Sequence, residues 1–298
     1  MNVSWRGAMT AIVTPWTDDD RFDRAAFARL IEWQIAEGIH GLVPCGTTGE
    51  GATMTDDEHR TVIETAVEAA NGRVPILAGC GSNDTRRTVV AARRAADAGA
   101  DGLLVVSPYY NKPNRSGMLG HYRAVAEATD LPIMLYNVPG RTGQDLGADG
   151  VLELAELPGI AAVKEASANL EQIGRILAER AAGLRVFSGD DVLALPTMAL
   201  GAEGVVSVVS NEDPGGFARL ADAVVAGNLD AARREHFRLE PLMRANFAES
   251  NPVPVKAALD RLGRCGGRVR APLGPPVEAT IERLDRALAS AGLSPVRA

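Results

Sequence analysis

The chain has 298 residues, of which 46% are hydrophobic and 23% charged, and its formal net charge is −7 at pH 7. An acidic chain without a basic patch is not expected to bind nucleic acid, and no apolar run reaches the ~18 residues that a membrane span needs. The first residues lack a signal-peptide pattern, so we predict a cytoplasmic protein. Three cysteines and four histidines are scattered along the chain, which predicts neither a disulfide framework nor a metal site.

Taken in chain order, short apolar runs alternate with amphipathic stretches, a pattern typical of repeated β–α units. The predicted strands are residues 8–13, 41–44, 75–78, 102–106, 132–135, 160–163, 185–187 and 204–209. The predicted helices of these units are residues 24–37, 56–70, 85–98, 117–128, 148–156, 170–181, 191–200 and 214–226. Eight units of similar size favour a closed (β/α)8 TIM barrel, which typically needs ~250 residues, over a doubly wound open sheet.

The C-terminal part of the chain differs from the repeated units. It contains three predicted helices, at residues 231–248, 252–262 and 276–291, and no ninth strand. Residues 263–276, rich in Gly, Pro and Arg, are predicted to form a loop. We therefore predict a catalytic barrel domain over residues 1–228 and a helical extension over residues 229–298.

Lys164 ends the sixth predicted strand, directly after an apolar run. The chain has only three lysines, Lys112, Lys164 and Lys256, and its other cationic side chains are arginines. An amine can lose its proton and attack a carbonyl, whereas a guanidinium cannot, so a lysine at this point suggests a nucleophile. The alternative is a lysine whose ammonium group reaches solvent at the strand end.

Further polar residues follow other predicted strands, where the active site of a TIM barrel lies. Thr47 and Thr48 belong to a Gly-Thr-Thr-Gly turn whose amides and hydroxyls can hold a small carboxylate. Tyr136 precedes Lys164 by 28 residues, one β–α unit, which places its hydroxyl on the neighbouring strand beside the amine. Arg141 lies in a Pro-Gly loop, where a guanidinium can bind a carboxylate. Each has a purely structural alternative. The threonines can belong to an ordinary tight turn, Tyr136 can bond to a backbone carbonyl at the barrel rim, and Arg141 can be solvated.

The tyrosines are clustered in the same way. Three of the four, Tyr109, Tyr110 and Tyr136, fall at predicted strand ends. An amine, threonines, tyrosines and an arginine together suit Schiff-base chemistry on a 2-oxo acid. No Ser-His-Asp or metal-ligand constellation competes, and no cofactor is expected.

Several motifs in register resemble the pyruvate-dependent class I aldolase superfamily, and within it they are most similar to the dihydrodipicolinate synthase family of lysine biosynthesis. The match runs from Gly7 to about Leu262, with a departure at Ala168, where that family commonly has glycine. N-acetylneuraminate lyase and the sugar-acid aldolases and dehydratases share the barrel and the lysine, but usually lack the Lys-Glu-Ala-Ser run and the tyrosine pair. The motifs are Gly46-Thr47-Thr48-Gly49-Glu50, Tyr109-Tyr110-Asn111, Tyr136-Asn137-Val138-Pro139-Gly140-Arg141-Thr142, Val163-Lys164-Glu165-Ala166-Ser167, Ser188-Gly189-Asp190-Asp191 and Asn251-Pro252-Val253-Pro254-Val255-Lys256.

The resemblance implies a proton relay around a Schiff base. Lys164 is expected to form the imine with pyruvate, and Thr47, Tyr136 and Tyr110 are expected to carry protons to and from it. Tyr110 is expected to reach across a dimer interface into the neighbouring site. The resemblance therefore also implies a homotetramer built as a dimer of dimers.

The resemblance also implies how the substrates bind. Thr47 and Thr48 are expected to hold the pyruvate carboxylate, and Arg141 the carboxylate of aspartate 4-semialdehyde. The backbone carbonyl of Val206 is expected to line the site. The implied product is 4-hydroxy-tetrahydrodipicolinate, on the diaminopimelate route to lysine. Two other hypotheses stay open: an aldolase or dehydratase acting on another 2-oxo acid, and a non-catalytic paralogue that binds a 2-oxo acid or a partner protein.

Regulation is a further expectation from the resemblance. Many bacterial members of the family are inhibited by L-lysine, whose ammonium groups need a carboxylate at the dimer interface. In this sequence Arg87 falls where that carboxylate is expected, and Asp56 falls where histidine is common. A cation facing a cationic ligand replaces an attraction by a repulsion, so we predict weak inhibition or none.

Overall fold

The computed structural model describes residues 3–296, so the first two residues of the predicted barrel domain and the last two of the predicted helical extension lie outside the described residues. Eight parallel strands pair in sequence order, the last strand pairs with the first, and an isolated bridge from Leu42 to Ile76 joins the second strand to the residue that precedes the third. The sheet is therefore a nearly closed barrel, which confirms the predicted (β/α)8 TIM barrel. The strands are β1 Gly7–Thr10, β2 Gly41–Leu42, β3 Leu77–Gly79, β4 Gly102–Val106, β5 Ile133–Asn137, β6 Ile160–Glu165, β7 Arg185–Ser188 and β8 Gly204–Ser207.

Helices connect the strands and continue after the last one. A capping box starts the second helix, because the side chains of Thr55 and Glu58 each accept a hydrogen bond from the other residue's amide. The helices are α1 Arg24–Ala36, α2 Asp56–Ala70, α3 Thr85–Asp97, α4 Arg115–Ala126, α5 Pro139–Thr142, α6 Gly147–Leu154, α7 Leu170–Glu179, α8 Ala194–Ala199, α9 Pro214–Val225, α10 Leu229–Ala245, α11 Val253–Arg261 and α12 Glu278–Ser290.

Two local predictions differ from the structure, both beside the mouth of the barrel. Residues 139–142 form the short helix α5 where the sequence predicted a loop, since Pro139 presets the first turn and Gly143, at φ +75°, ends it. The helix predicted to begin at residue 191 begins at Ala194. The carboxylate of Asp191 instead accepts hydrogen bonds from the amides of Val208 and Val209, which ties this turn to the end of β8.

Side chains alternate between two apolar layers along the strands. Those that point inward fill the barrel, and they include Met9, Leu104, Met134, Phe187 and Val206. Those that point outward pack with the helices in a larger cluster. The barrel interior is therefore solid below the strand ends, and a substrate site can open only at the mouth.

The three helices predicted for the C-terminal part are present, as α10, α11 and α12. They pack against one another and against α9, and Leu239, Leu259 and Leu288 belong to the same apolar cluster as the outer layer of the barrel. The segment between α11 and α12 contains neither helix nor strand, in agreement with the predicted loop. The division into two domains at residue 228 stays a prediction.

Candidate active site

The amine of Lys164 lies beside the ring of Tyr136 near the C-terminal ends of β6 and β5. The two residues are register partners, and the lysine Nζ lies 4.3 Å from the centroid of the tyrosine ring. Lys164 is 5% exposed and Tyr136 is 7% exposed, so the alternative of a solvated lysine does not hold. Within residues 3–296 no group accepts a hydrogen bond from Nζ. The structure thus brings the two residues together and leaves the amine unpaired.

Gly189, which follows β7, is a functional position that the sequence did not explain. A Cβ at this position would lie 3.0 Å from Cε of Lys164 and 2.7 Å from Cβ of Ala166. Carbon atoms pack favourably at about 3.5–4.0 Å, so a side chain here would displace the stem of the lysine. The glycine of the Ser-Gly-Asp-Asp motif therefore provides the space in which Lys164 lies.

A cavity of about 980 Å³ opens above this pair. Thr47, Tyr136 and Arg141 line it, as does Tyr109, and so does Asn251 from the C-terminal part of the chain. Lys164 is not among the lining residues, because it lies in the barrel next to the tyrosine ring. The cavity therefore presents hydroxyl, guanidinium and amide groups, which can bind carboxylates and carbonyls.

The loop after β2 keeps several hydrogen-bond donors unused. The amides of Thr47 and Thr48 have no acceptor within the described part of the chain. The Thr48 side chain is buried, and its Oγ1 accepts a hydrogen bond of 2.9 Å from Nδ2 of Asn251. Because successive free amides form a concavity that attracts anions, this loop can hold a carboxylate. Thr47 lines the cavity, whereas Thr48 lies behind it.

Arg141 lies in α5 at the edge of the cavity. Its Nη2 donates a hydrogen bond of 3.3 Å to the backbone carbonyl of Asn251, and the side chain forms no ion pair with a described residue. The guanidinium thus keeps most of its donors for a ligand. Arg141 is exposed, and its place at the cavity edge is compatible with a carboxylate-binding role.

Tyr110 and Val206 are not part of the cavity lining. Tyr110 is 88% exposed and has φ +73°, and its amide donates to the carbonyl of Thr142. Val206 is 1% exposed, and its side chain packs in the barrel interior. The structure of the single chain therefore brings neither residue to the lysine. A site role for Tyr110 needs a second subunit, and one for Val206 rests on its backbone carbonyl.

A buried ion pair anchors the same loop from below, and the sequence did not predict it. Nζ of Lys256 lies 2.6 Å from Oε1 of Glu50, and the two side chains are 0% and 1% exposed. Glu50 also accepts hydrogen bonds from Nε1 of Trp16 and from the amide of Arg270. Glu50 has φ +56°, a left-handed conformation that is uncommon for a residue other than glycine. The ion pair thus fixes the strained end of the Thr47–Thr48 loop.

A second polar contact lies next to Lys164 and Tyr136. Asn137 and Glu165 are register partners that follow Tyr136 and Lys164, and Nδ2 of the asparagine donates to Oε2 of the glutamate at 2.9 Å. Burial raises the pKa of Glu165, and the hydrogen bonds from Asn137 and Ser167 act in the opposite direction. This contact joins β5 to β6 next to the point where the amine and the ring meet.

Two cysteines that line the cavity do not compete as nucleophiles. Cys45 and Cys80 are each 5% exposed. Burial raises the pKa of Cys80 to about 12 and also raises that of Cys45. Because the thiolate is the reactive form, both remain unreactive thiols near neutral pH. The remaining candidate nucleophile beside the cavity is the amine of Lys164.

Arg87 lies at the far side of the same cavity, together with Asp56 and His59. The carboxylate of Asp56 is 2.9 Å from Nη2 of Arg94, and this partner lowers its pKa. Asp56 is thus already paired and cannot readily offset the charge of Arg87. Within residues 3–296 no three His, Cys, Asp or Glu side chains are grouped to hold a metal ion, and no helix is long and apolar enough to cross a membrane.

The dihydrodipicolinate synthetase family model matches residues 4–291 of the chain. The 4-hydroxy-tetrahydrodipicolinate synthase of Methanoculleus marisnigri is 50% identical over 291 residues, which are 97% of this chain and 100% of the relative. The chloride-inhibited dihydrodipicolinate synthase of Acinetobacter baumannii, complexed with pyruvate, has a TM-score of 0.95 at 40% identity, with 97% of this chain and 99% of that one covered. The same enzyme from Cyanidioschyzon merolae, with lysine bound, has a TM-score of 0.93 at 40% identity, with 97% of this chain and 98% of that one covered. The chain belongs to the dihydrodipicolinate synthetase family.

Proposed function

We propose that the protein condenses pyruvate with aspartate 4-semialdehyde to give 4-hydroxy-tetrahydrodipicolinate and water, on the diaminopimelate route to lysine. The observation that carries this proposal is the buried, unpaired amine of Lys164 at 4.3 Å from the Tyr136 ring. Relatives at 44–50% identity over 91–98% of the chain are 4-hydroxy-tetrahydrodipicolinate synthases, which supports the choice of substrates.

The chemistry follows from the groups around the amine. Attack of Nζ of Lys164 on C2 of pyruvate gives a carbinolamine, and loss of water gives the imine. Tyr136 is the nearest acid–base group, and it delivers the proton to the departing hydroxyl. Loss of a methyl proton gives an enamine, which attacks the aldehyde carbon of the second substrate. The amine of that substrate then adds to C2 and releases Lys164 as the ring closes.

The two carboxylates are assigned to different parts of the cavity. The free amides and hydroxyls of Thr47 and Thr48 suit the small carboxylate of pyruvate. Arg141, at the cavity edge, suits the carboxylate of the longer acceptor, and a bidentate contact would orient the aldehyde toward the enamine. The carbonyl of Val206 completes the proposed site.

We also propose that the active form is a homotetramer, a dimer of dimers, in which Tyr110 of each subunit serves its neighbour's relay. Two observations support the idea: the 88% exposure leaves the tyrosine ring and hydroxyl accessible to a second subunit, and the left-handed φ of +73° is backbone strain of the kind that functional loops store. A cytoplasmic location is proposed with it, since both substrates are intermediates of amino-acid biosynthesis.

The test is reductive trapping followed by a turnover assay. Borohydride added with pyruvate is expected to attach one reduced adduct to Lys164 and to inactivate the enzyme. The other two lysines are internal controls: Lys112 is exposed, and Lys256 is held in an ion pair. Lys164→Arg is expected to be inactive because arginine stays protonated. An adduct on Lys112 or Lys256, or no adduct, contradicts the mechanism.

The acceptor is tested separately with a panel of aldehydes. Turnover with aspartate 4-semialdehyde well above that with sugar aldehydes supports the proposed reaction. Trapping of pyruvate together with turnover of another aldehyde would instead identify a different pyruvate-dependent aldolase or dehydratase. Trapping without turnover of any aldehyde would favour the non-catalytic alternative.

A further inference from the structure

Asn251 contacts both proposed carboxylate-binding elements. It precedes α11, is 5% exposed and lines the cavity. Its side-chain Nδ2 donates to Oγ1 of Thr48 at 2.9 Å, and its backbone carbonyl accepts from Nη2 of Arg141 at 3.3 Å. A residue from the C-terminal part of the chain thus lies between the loop after β2 and the helix after β5.

The direction of the hydrogen bond to Thr48 determines what that hydroxyl can do. A side-chain NH2 group can only donate, so the Thr48 oxygen is the acceptor and the hydroxyl hydrogen remains available. No group within the described residues accepts a hydrogen bond from this hydroxyl. The Thr48 hydroxyl therefore has a hydrogen left for a ligand, in addition to the free amides of Thr47 and Thr48.

The position of Asn251 is itself fixed. The same segment ends at Lys256, whose Nζ pairs with Glu50 at the other end of the loop. The amide of Lys256 donates to the carbonyl of Pro252, and the amide of Val253 donates to that of Ser250. The segment from residue 251 to 256 therefore holds the loop at two points, and the Asn251 side chain has little freedom to turn away.

We propose that Asn251 is a positioning residue, which sets the Thr48 hydroxyl as a hydrogen-bond donor to the carboxylate of pyruvate. This inference rests on the proposed function. Asn251 affects the affinity for pyruvate through Thr48, and it does not need to contact the substrate.

Asn251→Asp tests the proposal, because it keeps the shape of the side chain and reverses the hydrogen bond. An ionised carboxylate only accepts, so it takes up the Thr48 hydroxyl hydrogen and places a negative charge near the bound anion. We expect the half-saturating pyruvate concentration, measured by cyanoborohydride trapping on Lys164, to rise at least about tenfold at pH 7.5, the scale of a lost hydrogen bond to a charged group. The defect relative to wild type should shrink toward pH 5, where protonation of a carboxyl with a raised pKa restores a donor.

A double-mutant cycle separates this role from general destabilisation. In a Thr48→Val background, Asn251→Asp should lose the part of its effect that acts through the Thr48 hydroxyl and keep only the repulsion between the introduced carboxylate and the bound anion. Asn246→Ala is the matched control: it removes another buried asparagine of the C-terminal part, one that donates to Glu212. This control should lower the melting temperature and leave pyruvate half-saturation unchanged.

The outcomes distinguish the inference from the function on which it rests. Wild type that neither traps pyruvate nor turns over defeats the proposed function. Wild type that traps pyruvate while Asn251→Asp saturates at an unchanged concentration defeats the inference alone. A defect of Asn251→Asp that does not change with pH also defeats the inference. The same holds if the effects of Asn251→Asp and Thr48→Val on pyruvate half-saturation are additive, because either result shows that Asn251 acts without Thr48.

Discussion

Removing the amine of Lys256 is expected to destabilise the fold strongly. Lys256→Met keeps the length of the side chain but leaves the carboxylate of Glu50 buried at 1% exposure without its cation. Breaking a buried pair in this way typically costs about 3–5 kcal/mol. Glu50 retains the hydrogen bonds from Trp16 and Arg270, which satisfy part of its charge. We therefore expect a loss near the lower limit, about 3 kcal/mol.

Urea denaturation measures this loss as a change in the free energy of unfolding. Lys112→Met is the matched control, because Lys112 is exposed and a surface substitution of this kind usually changes stability by less than about 0.5 kcal/mol. The double variant Lys256→Met with Glu50→Gln should recover part of the loss, since no charge is then buried alone. A single-variant loss below about 1 kcal/mol, or no recovery in the double variant, would refute the claim that the ion pair organises this region.

The remaining predictions concern catalysis, assembly and regulation. Tyr136→Phe should lower turnover by a factor of roughly 10²–10³, the scale of a lost acid–base group, while circular dichroism shows an intact fold. Near-normal turnover would show that the hydroxyl has a structural role only. Mixed dimers of Tyr110→Phe and Lys164→Ala subunits should regain activity that neither parent has, and no rescue in proven mixed dimers would mean that Tyr110 serves its own chain. L-lysine should not reach half-inhibition below about 1 mM near neutral pH, a binding free energy of roughly −4 kcal/mol, because Arg87 lines the cavity while Asp56 is already paired. Stronger inhibition in a dose–response series would show that Arg87 turns away from the ligand.

The parts of the fold that follow from local patterns could be predicted from the sequence. Alternating apolar runs and helical stretches identified eight strands, and the 28-residue spacing placed Tyr136 beside Lys164, as the register of β5 and β6 confirms. These inferences succeed because one β–α unit has a nearly fixed length and because parallel strands present their ends at one edge.

Contacts between distant segments could not be predicted in the same way. Glu50 and Lys256 are 206 residues apart, and the pairing of Asn251 with Thr48 spans 203 residues. Nothing in the local pattern of either partner indicates the other. The start of α8 was also misplaced, because a long-range bond from Asp191 to the end of β8 outweighs the local helical pattern. Tyr110 is exposed in the single chain, so the fold of one subunit does not fix the neighbour that we propose for it.

The three lysines show why the same side chain has different chemistry in one protein. Lys112 is exposed, so water can solvate its ammonium group. Lys256 is fully buried, and it is protected by a carboxylate and a backbone carbonyl, so its charge is compensated but its amine is not free. Lys164 is buried without an acceptor, an arrangement that costs free energy because no partner offsets the lost hydration. A nucleophilic amine needs this arrangement, since an ion pair of the kind that Lys256 makes would commit the Lys164 nitrogen to a carboxylate and keep it from a substrate carbonyl.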